Sequence, residues 1–243
     1  MIPAAFHAAI YDPLYNGLVF LVDIVPGHDM GVAVILLTIV VRIIILPLSR
    51  RAIQAQLAMK KIAPEVDALK IRFKNDRDAQ TKAIFALYKE AGVHPFASLG
   101  LVLVQFPILI ALYYVFYRSG FPDVDTALLY SFVHTPAAIN MHFLGLVDMS
   151  GRNIVLGILA GATQFIYTRL SMGPREKRPE STPVEASLSG DMAKSFDLQA
   201  RYVLPAIIAV MGATLPSAAP LYWATSNTFM ILQEYIAGRR FTK

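Results

Sequence analysis

The sequence predicts an all-α polytopic membrane protein with five transmembrane helices and a cytoplasmic helical hairpin. Three observations carry that expectation. Hydrophobic residues fill 56% of the 243 positions and charged ones only 16%, with a mean hydropathy of +0.51, whereas a soluble domain carries about 25% charge. The apolar residues gather into segments of bilayer-spanning length. The basic residues cluster beside alternate ends of those segments, the distribution that fixes orientation in a membrane.

Residues 1–30 form an N-terminal segment placed outside the hydrocarbon. They contain no Lys or Arg, which argues against a secretory signal with its basic n-region and against an arginine-rich transit peptide. Gly17–Val25 is apolar but short and carries Asp23, so an interfacial helix is expected there rather than a span. Residues 31–49 are the first span, nineteen residues with one charge, Arg42. At about 1.5 Å per residue they reach about 28 Å, close to the roughly 30 Å hydrocarbon thickness.

Residues 50–94 differ in kind. Arg50–Gly92 holds ten Lys/Arg and five Asp/Glu. Met59, Ile62, Val66, Leu69 and Phe73 recur at intervals of three and four, one apolar stripe along a helix. Asn75-Asp76 supplies a turn, Ile84, Leu87, Tyr88 and Ala91 continue the stripe on a second arm, and Gly92 suits a helix C-terminus. Pro64 is expected to kink or restart the first arm, since it removes a backbone donor. Two solvated helices zipped face to face account for the stripe; a partner-binding role is open beside that.

Residues 95–118 are the second span, with Gln105 and Pro107 inside it, and 119–151 are a polar extracytoplasmic loop with short apolar runs and the turn formers Pro122 and Pro136. The third span, 152–170, carries Gln164. Residues 171–200, rich in Pro, Ser, Glu and Lys, read as a linker. The fourth span, 201–216, is short enough to draw on flanking positions such as Leu198, and it meets the fifth, 217–238, at Pro216-Ser217. A tail, 239–243, follows. Ten basic residues in the hairpin, five in 171–201 and three in the tail face few on the other side, with none before Arg42. The N-terminus is therefore expected outside, and the hairpin, linker and C-terminus in the cytoplasm.

Cysteine is absent, so disulfides, thiolate metal sites, cysteine nucleophiles and a lipidated N-terminal cysteine are excluded. His7, His28, His94, His134 and His142 are scattered without metal-ligand spacing, and no hydrolase, zinc-protease, P-loop or dinucleotide motif occurs. Neither enzyme activity, metal nor cofactor is expected. The net charge of +5 lies beside apolar segments, which points to an anionic membrane surface and not to nucleic-acid specificity.

Arg42 is the informative residue. It sits seven positions from the cytoplasmic end of the first span, about 10 Å deep, where an arginine costs about 2.5–3.5 kcal/mol on insertion scales. Such a side chain is either placed in a polar cavity or snorkels to inner-leaflet phosphates. Thr38 lies one turn away on the same face. Gln105, Gln164, Ser226 and Asn227 add neutral donors and acceptors on other spans, as interhelical hydrogen bonds or as the lining of a wet cavity.

The ordered set Thr38-x3-Arg42-x4-Pro47-Leu48, a basic hairpin, Ala86-Leu87-Tyr88-Lys89, Gln105-Phe106-Pro107-Ile108, Ala111-Leu112-Tyr113-Tyr114, Leu215-Pro216-Ser217, and Leu221-Tyr222-Trp223 through Ser226-Asn227 closely resembles the YidC/Oxa/Alb family of membrane protein insertases over roughly residues 12–240. The resemblance implies five helices around a hydrophilic groove open to the cytoplasm and to lipid and closed to the outside. Arg42 matches the family's groove arginine and Thr38 its groove threonine. Trp223, with Tyr222 beside it, matches an aromatic position near which substrate passes, and Gln164 a groove-facing polar residue. Gln105 and Asn227 complete the candidate groove set.

The implied partners are nascent membrane proteins and the bilayer, with the ribosome and the Sec translocon as further candidates, and the implied location is the bacterial plasma (inner) membrane. Proteobacterial members carry an extra N-terminal span and a periplasmic domain not represented in these residues. His94 stands where the family commonly has Asn, and the tail carries only three basic groups where longer-tailed members dock ribosomes. The rival reading is an anion channel or transporter using the intramembrane arginine, which would usually show inverted repeats or paired broken helices.

Overall fold

A computed structural model describes residues 4–92, 97–118, 121–173, 195 and 197–238. The chain is mostly helical: α1 (Ala4–Phe6), α2 (Asp12–Ile24), α3 (Met30–Arg72), α4 (Arg77–Glu90), α5 (Ala97–Arg118), α6 (Ile154–Met172), α7 (Leu204–Thr214) and α8 (Ala218–Ile236), with one small hairpin, β1 (His142–Phe143) and β2 (Val147–Asp148). Among the described residues, α3 and α6 are long and apolar enough to cross a bilayer. The expected linker lies largely outside the described residues, as does the tail.

Two single π-turns, His7–Tyr11 and Gln199–Val203, run directly into α2 and α7. Each ends two residues before a proline, Pro13 or Pro205, whose ring would clash with a carbonyl of the preceding turn. The helical path is thereby kept continuous from 4 to 24 and from 197 to 214. The first of these carries the expected interfacial segment, and the structure makes it an integral part of the core. Tyr15, Leu18, Val19 and Val22 are wholly buried, while Phe20 and Ile24 on the other face stay exposed.

The segments expected as the first span and the first hairpin arm are one helix. Asp29 caps α3, its Oδ1 accepting from Val32 N–H at 3.0 Å, and the helix runs unbroken through Pro47 and Pro64 to Arg72. Pro64 does not restart it: a proline deletes one hydrogen bond, and the flanking turns hold the rest. Its 43 residues measure about 65 Å at 1.5 Å per residue, twice a hydrocarbon core, so a bilayer could cover only about half of α3 and the rest would project. The projecting half pairs with α4. Val66 is buried, Met59, Ile62, Leu69 and Phe73 are half-buried like Ile84, Leu87 and Tyr88, and Gln80 Nε2 donates to the Lys70 carbonyl at 3.0 Å. Gly92 ends this unit with φ 64°.

Helix directions follow from register. Arg42 bonds Ser226, and Ser49 bonds Gln233. The same offset recurs seven residues on, two turns along both helices, so α3 and α8 run parallel. α6 and α7 are antiparallel and very close, because Gly157 lies against the backbone of Ala209 and Ala213, and Gly161 against Pro205 and Ala209. Glycines four apart let backbones approach in this way.

The segment 121–153 caps the end where α3, α6 and α8 begin. Met30 N–H donates to the Asn140 carbonyl at 2.9 Å, Ser217 N–H to Gly151 at 2.7 Å and Ala218 N–H to Met149 at 3.2 Å. The buried Asn16 side chain donates to the Leu128 carbonyl at 2.9 Å and accepts from Tyr130 N–H at 2.6 Å. Asp125 N–H donates to Tyr15 Oη at 2.8 Å. What reads in sequence as a polar loop thus contributes Val133 and Met149 to the core.

Candidate functional site

Three helices bring the polar groups together. Arg42 projects from α3 toward α8 and α5 and is 5% exposed. Its Nε donates to Ser226 Oγ at 2.8 Å, and its Nη2 to Gln105 Oε1 at 2.8 Å and again to Ser226 Oγ. Gln105 Nε2 in turn donates to Tyr222 Oη. The spacing on α8 explains the convergence: Tyr222 and Ser226 are four apart and share a face.

All these partners are neutral. Among the described residues no carboxylate pairs with Arg42, and its Nη1 makes no hydrogen bond. A buried guanidinium held by neutral acceptors keeps its full charge, at a desolvation cost that only hydrogen bonds offset. The arrangement therefore presents positive charge and free donors inside an apolar frame, which is chemistry for attracting an anionic group.

Next to the network lies an apolar cavity of about 460 Å³. Leu109, Tyr113 and Phe116 of α5, Met211 of α7, and Tyr222 and Trp223 of α8 line it. Tyr222 belongs to both regions: its hydroxyl closes the polar network while its ring forms cavity wall.

Arg42, Gln105 and Tyr222 are brought together, and Trp223 stands on the adjoining cavity. Thr38 is buried one turn from Arg42, its hydroxyl donating to the Val34 carbonyl of its own helix at 2.6 Å. Gln164 is half-buried and its Nε2 donates to Thr168 Oγ1 on the same helix at 3.1 Å. Asn227, 4% exposed, points to α6, with Nδ2 3.4 Å from Thr163 Oγ1; one residue beyond Ser226 turns it about 100° away. Ser226, the direct partner of Arg42, figures in the sequence only as one of several neutral polar groups and not in the final candidate groove set. Its i, i+4 relation to Tyr222 was the available signal. Among the described residues no cluster of His, Asp or Glu could hold a metal.

The family model described as "60Kd inner membrane protein" matches residues 20–243. Similar proteins include a membrane protein insertase YidC of Clostridium tetani, 29% identical over 215 residues that cover 88% of this chain and 84% of the relative. Another, of Fusobacterium nucleatum, is 29% identical over 233 residues, 95% of this chain and 98% of the relative. The protein of the same name from Alcanivorax borkumensis is 30% identical over 242 residues, 95% of this chain but only 36% of that longer relative. By the extent of that match the chain belongs to the 60Kd inner membrane protein family, among whose similar proteins are the YidC insertases.

Proposed function

We propose that the protein inserts nascent membrane proteins into the bilayer, using the Arg42 network as a cationic recess and the neighbouring cavity as an apolar path. The observation that carries this reading is the buried arginine with neutral partners, beside a cleft that is almost entirely apolar. A single-span substrate must move a polar, often acidic, N-terminal segment across hydrocarbon. Arg42 attracts that segment and shortens its dry path, with Gln105, Tyr222 and Ser226 holding the guanidinium in place. The apolar stretch that follows passes Trp223 and Tyr222 and partitions into lipid at roughly 25 cal/mol per Å² buried. Thr38, Gln164 and Asn227 act as further polar groups of the groove.

In this reading five segments span the membrane: 31–49, 95–118, 152–170, 201–216 and 217–238. Alternating helix directions support it, since α3, α6 and α8 start at the capped end where α5 and α7 finish. That end faces outside, with residues 1–30 and the 119–151 loop. The hairpin of 50–94, the 171–200 linker and the tail lie in the cytoplasm, where ribosome and Sec translocon are candidate partners. The membrane is the bacterial plasma membrane. The test is protease accessibility of a small single-span substrate with an acidic N-terminal tail, in cells depleted of the protein and after its restoration. Insertion that returns only on restoration supports the proposal; insertion indifferent to the protein refutes it.

A further inference from the structure

The hairpin tip carries a feature that the insertase mechanism does not use. Phe143, Leu144, Gly145 and Leu146 form a tight turn closed by Leu146 N–H donating to the Phe143 carbonyl at 3.0 Å. Both central residues have positive φ, 51° at Leu144 and 72° at Gly145. That signature belongs to the mirror-image hairpin turns, which favour Asn-Gly because asparagine tolerates the left-handed region and leucine resists it. Here a leucine, 66% exposed, occupies the strained position, and Leu146 beyond it is 83% exposed. Two leucines standing in water at the end of a polar loop gain nothing for folding.

The turn is also held at a defined height. Asp29 Oδ1 caps the first turn of α3 while its Oδ2 accepts Leu144 N–H at 2.7 Å. Phe143 packs on Gly31, where any β-carbon would collide with its side chain. The tip is thereby fixed beside the first turn of the apolar helix α3, the level at which that helix enters hydrocarbon. We infer that Leu144 and Leu146 form a lipid-contacting wedge seated in the outer leaflet, anchoring the capping loop to the bilayer. The occupant of this surface is the lipid itself, because the apolar tip is continuous in height with the start of the spanning segment. The inference rests on the membrane embedding proposed above.

The absence of cysteine makes the test direct. Single cysteines at Leu144, Leu146, Ile44 and Asn75 are labelled with an environment-sensitive fluorophore in the full chain, reconstituted in phosphatidylethanolamine–phosphatidylglycerol vesicles. Ile44 is 70% exposed on α3 and reports lipid; Asn75 lies in the exposed turn of the charged hairpin and reports water. Shallow nitroxide lipid should quench 144, 146 and 44 at least twofold more than 75, and iodide should do the reverse. If 44 is quenched by lipid while 144 and 146 behave like 75, the wedge is refuted and the embedding stands. If 44 also behaves like 75, the embedding itself fails. The pair Leu144→Asn with Leu146→Ser retains a favourable turn and should lower the lipid contact of a probe at Val147 by a similar factor; unchanged contact overturns the assignment.

Discussion

Replacing Gly157 with alanine should push α6 and α7 apart. A β-carbon there would sit 2.5 Å from Ala213 N, 2.8 Å from the Ala209 carbonyl oxygen and 2.9 Å from Ala213 Cα. All three are backbone atoms, so no side chain can rotate away. Restoring ordinary contact requires a displacement of about 0.9 Å between the helices, and overpacking of this kind costs about 1–3 kcal/mol. The helix propensity of alanine returns about 1 kcal/mol, which leaves a net loss of roughly 0–2 kcal/mol.

Gly17→Ala is the matched control. Its β-carbon meets only the tip of Leu37, at 3.1 Å, so the propensity gain dominates and the variant should be neutral or slightly stabilised. For a chain of this size 1 kcal/mol moves Tm by about 2–4 °C. The two variants should therefore differ by on the order of 2–12 °C in thermal unfolding in detergent, followed by Trp223 emission. Equal Tm values, or a Gly157→Ala protein more stable than the parent, would refute the close-packing argument. Because Met211 of α7 lines the apolar cavity, the same variant should also slow insertion when assayed below its Tm.

Three further outcomes are expected. Tyr222→Phe keeps the cavity wall but removes the hydroxyl that accepts from Gln105, so an acidic-tailed substrate should insert several-fold more slowly in a vesicle assay, with a neutral-tailed one little changed. Asp29→Ala removes both the α3 cap and the support of Leu144, costing about 1–2 kcal/mol in a thermal melt. Asp29→Asn, which can still cap, should recover most of that loss. Asn16→Ala leaves the Leu128 carbonyl and Tyr130 N–H without their partner, at about 1–3 kcal/mol for each group left unsatisfied, and the 121–140 segment should be cut faster by added protease.

The helical segments were legible because their signals are local. Asn153 before an apolar run marks the start of α6, the Pro216-Ser217 step separates α7 from α8, and the three–four spacing of Met59 to Phe73 marks the hairpin face. The continuity of α3 was not legible, since whether a proline breaks a helix depends on how well the turns around it are supported. The β-turn was hidden by Leu144-Gly145, which carries none of the usual Asn-Gly signal. In the site, Arg42 declared itself by cost. Gln105 was legible as a candidate beside it, but Ser226 stood only among the neutral polar groups, because Ser226, 184 positions away, is distinguished from Asn227 only by helix azimuth. A polar residue's number in a span gives its depth but not its direction.

The central claim is that Arg42 contributes charge, beyond polarity, to substrate capture. Its most direct test compares insertion of two substrates differing only in tail charge, acidic or neutral, by wild-type, Arg42→Gln and Arg42→Glu proteins in reconstituted vesicles. A hydrogen bond to a charged group contributes about 1.5–3 kcal/mol. The acidic substrate should therefore slow roughly tenfold or more with glutamine and further with glutamate, while the neutral one changes little. Equal rates for all three proteins on the acidic substrate would contradict the account.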